Sequence, residues 1–111
     1  MLAAVLHDFN DLRLEDFPVP TAEDHGDVVV QIKASGICAT DYKAIKGTRK
    51  NVHFPFSPGH EPSGVVSEVG PSVTQFRVGD EVIVSPSGYC MHCRHCRVGN
   101  HHYCESILHL R

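Results

Sequence analysis

Apolar and polar residues alternate here in short blocks separated by turn residues. MLAAVL predicts a first strand and DLRLEDF a second, in which Leu12 and Leu14 alternate with polar positions. VPTAEDHGD is polar and turn-rich. DVVVQIKAS is the clearest strand, with Val28, Val30 and Ile32 on one face and Val29 on the other. CATDYKAIKG predicts one or two helical turns ending at Gly47. TRKNVHFPFSPGH reads as a loop punctuated by Pro55 and Pro58, and SGVVSEVG and DEVIVSP as further strands. Val19, Pro20, Val78, Gly79 and Asp80 read as turn or strand-start positions. Short strands at this spacing predict a small, mainly β barrel or sandwich with short helices. The last residues, SILHLR, form an apolar run that simply stops, as expected of a piece of a longer protein or of a short terminal helix.

Composition narrows the picture. The 111 residues amount to one domain, able to bury roughly 65% of its unfolded surface. Trp is absent and aromatics make up 7%, so the core must rest on Val, Ile and Leu. Net charge is −3 with histidines neutral and no basic stripe stands out, which argues against nucleic acid as a partner. No apolar run approaches the ~18 residues needed to span a bilayer, so no membrane partner is expected. The start, MLAAVLHD, lacks a basic leader region and reaches Asp8 too soon for a secretory signal. A cytoplasmic location is therefore expected.

Four of the five cysteines lie in YCMHCRHCRVGNHHYC, spaced Cys90-x2-Cys93-x2-Cys96-x7-Cys104. An odd total fits a disulfide framework badly, and clustered cysteines in a reducing compartment more often bind metal. Cys-x2-Cys presents two thiolates to one tetrahedral ion, and Zn²⁺ accepts four thiolates. Such a closed site leaves no position for substrate. It predicts a structural zinc that orders a lobe spanning residues 88–105. Arg94 and Arg97 would offset part of its negative charge. Other readings remain open: an iron–sulfur cluster, though the seven-residue gap and Glu105 depart from the ferredoxin run; disulfides or free thiols; or a ligand from His92, His95, His101 or His102, all otherwise solvated loop histidines. The fifth cysteine, Cys38, is read in isolation as a small buried hydrophobe.

The run G-H-E-P-S-G-V-V-S-E-V-G-P-S-V, from Gly59 to Val73, resembles the zinc-containing alcohol dehydrogenase signature G-H-E-x2-G-x5-G-x2-V at every fixed position. SGICATD is similar to that family's G-x-C-x-[ST]-D segment. The four-cysteine lobe has the family's structural-zinc spacing, and FRVGDEVIV matches its V-G-D-x-V turn and strand. The features occur in the family's order over nearly the whole chain. By this resemblance residues 1–111 are a GroES-like catalytic domain of a medium-chain dehydrogenase/reductase, without the Rossmann domain that would hold NAD or NADP.

The resemblance implies that Cys38 and His60 are ligands of a second, catalytic Zn²⁺ with an open position, a Lewis-acid site. It makes Thr40 the hydroxyl that touches the substrate oxygen and relays its proton, with a helix N-cap as the alternative. Asp41 would receive the ring N–H of His60 and fix its tautomer, or cap the helix. Glu61 would lie near the metal as an occasional ligand. The implied reaction is hydride transfer between an alcohol, polyol or amino-alcohol and a nicotinamide cofactor. One departure stands at Lys43, where many family members place a His at the end of the proton relay. The third metal ligand and the dinucleotide site are expected downstream, so the chain alone is expected to be inactive and its parent a homo-oligomer. The competing reading is a non-enzymatic GroES-like zinc scaffold or interaction module, in which Cys38 and His60 are incidental.

Overall fold

The structure, a computed structural model, describes residues 1–50 and 52–109. Strands β1 (Leu2–Asp8) and β2 (Asp11–Asp16) form an antiparallel hairpin. Its turn passes through Asn10 at φ 62°, a left-handed position that Asn tolerates. Strand β3 (Val28–Gly36) leads into helix α1 (Ala39–Ile45), and β4 (Glu61–Val69) returns antiparallel to β3, with β5 (Glu81–Ile83) on its other side. The lobe carries β6 (Ser87–Gly88), helix α2 (Arg94–Arg97), a 3-10 turn at His101–Tyr103 and β7 (Leu108–His109), which pairs with β6. Among the described residues no helix is long and apolar enough to cross a membrane.

The buried apolar body is small. Val5 and Leu6 of β1, Ala44 of α1 and Val66 of β4 are almost wholly excluded from solvent. Leu6 exchanges backbone hydrogen bonds with Phe56, its N–H donating at 2.8 Å and its carbonyl accepting at 3.1 Å. The hairpin turn packs on the end of α1: the Asn10 N–H donates to the Ile45 carbonyl at 2.7 Å, and the Phe9 ring lies over Gly47. Phe54 meets Phe9 edge-on at 5.1 Å. These contacts hold the loop between α1 and β4 against β1, and so set where that loop delivers residue 60.

One expectation changes. Val28, Val30 and Ile32 do not share one buried face, because the β3–β4 register shifts between Val29 and Val30 and again between Ile32 and Ala34. Each shift acts as a bulge and turns the following side chains. Ile32 is left 49% exposed, while Val28, Val29 and Val30 are all half-buried. The strand-rich architecture with short helices is the one expected, with the described strands open rather than closed into a barrel. They form three separate sheets, and β5 is only three residues long. The open sheet faces explain a surface of 8492 Å², against about 6,000 Å² for a compact protein of this mass.

Close approach of β3 and β4 depends on Gly64, where a Cβ would run into the Gln31 carbonyl of the neighbouring strand. A backbone atom cannot swing aside as a side chain can. Gly64→Ala is expected to spread the two strands, cost about 1–3 kcal/mol and lower the thermal unfolding midpoint; an unchanged midpoint would show that the sheet absorbs the methyl.

Candidate metal centres

Pairing of Gly36 with Glu61 closes the β3–β4 ladder. In an antiparallel pair the end of one strand lies beside the start of the next. Cys38, two residues beyond β3, and His60, one residue before β4, therefore meet although twenty-two positions separate them. One ligand atom each from Cys38, His60 and Glu61 lies within 4.8 Å of the others. Gly36 leaves room for this arrangement: the Glu61 carboxylate occupies the space that a Cβ there would fill and would have to swing aside to admit one.

Asp41 organises the group from below and is itself 7% exposed. Its Oδ2 accepts the Cys38 N–H at 3.0 Å, which closes the first turn of α1. Its Oδ1 accepts from the Gly59 N–H at 3.3 Å and from His60 Nδ1 at 3.2 Å. Gly59 reaches that geometry at φ 107°, a conformation open to glycine. With the ring proton held on Nδ1, the Nε2 lone pair of His60 points the other way, where the Thr40 hydroxyl lies 3.3 Å from it. The N-cap of α1 is Cys38 rather than Thr40, so the capping alternative for Thr40 gives way to a hydroxyl held at the histidine. Both alternatives for Asp41 hold at once. The bend at Gly59 and the clearance at Gly36 are contributions that the residue pattern did not single out.

The electrostatics favour a cation. Hydrogen bonds from the Thr40 hydroxyl, then from its backbone N–H, hold the Cys38 thiol below its ordinary pKa. Burial pushes His60 down most strongly, but the Cys38 sulfur and the Asp41 carboxylate together outweigh it and leave the imidazole above its ordinary value. A thiolate and an oriented imidazole with a carboxylate at hand are the donor types that borderline metals such as Zn²⁺ accept.

In the lobe, the Sγ atoms of Cys90, Cys93, Cys96 and Cys104 all lie within 4.8 Å of one another. Cys90 and Cys96 are 4.0 Å apart, close to the roughly 3.8 Å edge of a tetrahedron with 2.3 Å zinc–sulfur bonds. No pair is bonded as a disulfide. Backbone N–H groups point at the sulfurs: Cys93 to Cys90 at 3.3 Å, Cys96 to Cys93 at 3.4 Å, Cys90 to Cys104 at 3.4 Å and Ser106 to Cys104 at 3.3 Å. Donors from the Glu105 and Cys96 backbone bring Cys93 down to about 6, whereas burial, followed by the hydrogen bond that the Cys96 thiol donates to Cys93, pushes Cys96 up to about 12. The nearby histidines are engaged elsewhere. His92 Nδ1 lies 2.6 Å from the Cys90 carbonyl, His101 packs edge-on against Tyr89, and His95 and His102 lie against Tyr103. Arg94 pairs with Glu105 at 2.8 Å on the lobe surface.

Comparison with known proteins gives the family. The profile of the family described as the alcohol dehydrogenase GroES-like domain matches residues 24–110. The chain belongs to this family. It is 37% identical to the sorbitol dehydrogenase of Bacillus subtilis over 110 residues, covering 96% of this chain and 31% of that protein. It is 42% identical over 109 residues to the alcohol dehydrogenase of Moraxella sp., covering 96% of this chain and 32% of that one. The solved alcohol dehydrogenase of Aeropyrum pernix superposes with a TM-score of 0.86 at 34% identity, over 99% of this chain and 33% of that one. The chain thus spans about a third of the length of the relatives it matches. As a member of the zinc-dependent alcohol and polyol dehydrogenase family, it carries the strand-rich GroES-like fold with short helices.

Proposed function

We propose that this chain is the metal-bearing part of a zinc-dependent alcohol or polyol dehydrogenase. The observation that carries the reading is the convergence of Cys38, His60 and Glu61 within 4.8 Å, with Thr40 and Asp41 on opposite nitrogens of the same imidazole. Cys38 and His60 would hold the catalytic zinc, with Glu61 within reach, and Cys90, Cys93, Cys96 and Cys104 a second, structural one. When bound, the catalytic ion would supply Lewis-acid chemistry toward a substrate hydroxyl, and a nicotinamide cofactor held by the rest of the full-length protein would supply the hydride acceptor. The chain's own residues have separate tasks. Asp41 keeps the ring proton on Nδ1 and so keeps Nε2 free as a ligand. Thr40 places a hydroxyl beside that ligand, where it can accept a proton from an alcohol and pass it outward. The nicotinamide cofactor, the homo-oligomeric state and the cytoplasmic location all belong to the full-length protein under this reading.

The test joins metal analysis to turnover. The full-length protein should hold two zinc ions per chain and reduce NAD⁺ or NADP⁺ with a secondary alcohol or polyol, whereas residues 1–111 alone should show no turnover. One zinc per chain and no turnover across alcohols, polyols and amino-alcohols would favour the scaffold reading instead.

Asp41→Asn refines the assignment. The amide keeps the size of the carboxylate but cannot accept from Cys38, Gly59 and His60 together. It should weaken zinc at Cys38 and His60 by about 10–100-fold in a chelator competition while the lobe keeps its ion. Equal loss from both sites would mean that Asp41 serves the fold as a whole.

A further inference from the structure

Ten Lys and Arg residues are spread over this chain, yet four of them, Lys43, Lys46, Arg49 and Lys50, fall within eight positions at the end of α1. Residues 42–60 contain no Asp or Glu, in a chain whose net charge is −3. Lys43 follows Thr40 by three positions and so lies on the same helix face, about 4.5 Å further along the axis. The Lys43 carbonyl accepts both the Thr48 N–H at 2.9 Å and the Arg49 N–H at 3.1 Å, so the chain folds back and brings Arg49 beside Lys43. Among the described residues none of the four cations makes an ion pair. The acidic groups of the hairpin turn that packs on this end of α1 are already engaged. Asp8 accepts the Phe9 N–H at 2.7 Å, and Asp11 holds the Arg13 guanidinium. Clustered cations without partners repel one another and raise the local concentration of anions.

We propose that this basic turn is a subsite for a phosphate monoester at the far end of the substrate, so that the full-length protein acts on a polyol phosphate. The proposal rests on the dehydrogenase reading, which places the reacting hydroxyl at Thr40. From there the turn lies one to two helical turns away, a reach that the carbon chain of a pentitol or hexitol spans. The backbone N–H groups of Thr48 and Arg49 are spent on the Lys43 carbonyl, so recognition falls to the Lys and Arg side chains, whose N–H donors suit phosphate oxygens.

The experiment uses the full-length, zinc-loaded protein with xylitol and xylitol 5-phosphate, each with NAD⁺ and NADP⁺, and inorganic phosphate as a binding probe in calorimetry at low salt. The variants are Arg49→Gln, Lys50→Gln and the pair together, with Arg49→Lys as the charge-conserving control. The expected result is a kcat/KM ratio of phosphate ester to free polyol that falls roughly tenfold or more per charge removed, is partly restored by Arg49→Lys, and is matched by weaker phosphate binding. An unchanged ratio with unchanged phosphate binding overturns the proposal. So does a loss confined to NADP⁺ relative to NAD⁺, which would assign the turn to the cofactor. Absence of turnover on both polyols and across the other alcohols and amino-alcohols would defeat the dehydrogenase reading alone, because phosphate calorimetry on wild type and variants still decides whether the turn binds the anion.

Discussion

Cys38→Ser in the full-length protein is expected to remove one of two zinc ions per chain and lower kcat/KM on the order of 10³-fold or more. The ligand set explains the size of the effect. Cys38 and His60 are the only thiolate and imidazole in their group, and the remaining member, Glu61, is an exposed carboxylate. Removing the sulfur takes away a negative ligand that the Thr40 hydrogen bonds hold in thiolate-favouring surroundings. His60→Ala should act on the same ion and produce a similar loss. Because both residues serve one ion, the double variant should be little worse than either single one, whereas independent sites would multiply their losses. Hydrogen exchange over Cys90–Cys104 should not change in any of these variants. Retained turnover with a single zinc would end the catalytic assignment of Cys38 and leave the scaffold reading standing.

Stripping zinc from the lobe is expected to unfold residues 88–105 and leave strands β1 to β5 in place. The lobe has almost no apolar core of its own: Met91, Val98 and Tyr103 are 64%, 71% and 64% exposed, and among its residues only Cys96 and Cys104 are buried. Its order comes from sulfurs that need a cation and from N–H groups aimed at those sulfurs. Structural zinc in small peptides is worth about 10–16 kcal/mol, as much as the whole stability of a typical domain, about 5–15 kcal/mol. The check is hydrogen exchange before and after chelation, with Cys96→Ser as the genetic counterpart. Protection of the Cys93, Cys96 and Gly99 amides should vanish while β3 and β4 keep theirs. Zinc retention should also weaken as pH falls, because every ligand must be deprotonated. Cys96 must give up a proton held at about 12, and protonation of Cys93 adds to the competition below about 6. An unaltered lobe after complete zinc removal would refute the structural role.

Much of the site was legible in the residue pattern because its chemistry is locally spaced. The Cys90, Cys93 and Cys96 sulfurs reach one point within two tight turns, so spacing alone predicts convergence, and Cys104 is delivered by the short 3-10 turn before it. The strands β1, β3 and β4 and the helix before Gly47 lie close to where hydrophobic alternation and turn residues put them. What failed was face assignment within β3. The register shifts at Val29/Val30 and Ile32/Ala34 arise from cross-strand fit with β4, which alternation inside one strand does not report. The mainly β architecture with short helices was legible as well, although the strand at DEVIVSP pairs for only three residues and leaves Ile83 86% exposed.

The residue order sets the donor types, the lobe and the family signature, since these depend on neighbours a few positions apart. The meeting of Cys38 with His60 belongs to the tertiary structure. It follows from the pairing of Gly36 with Glu61, from the hairpin that pins the intervening loop, and from a buried Asp41 that serves helix and histidine together. Antiparallel register and burial are set by contacts between segments far apart in the chain, and no spacing within a single segment encodes them.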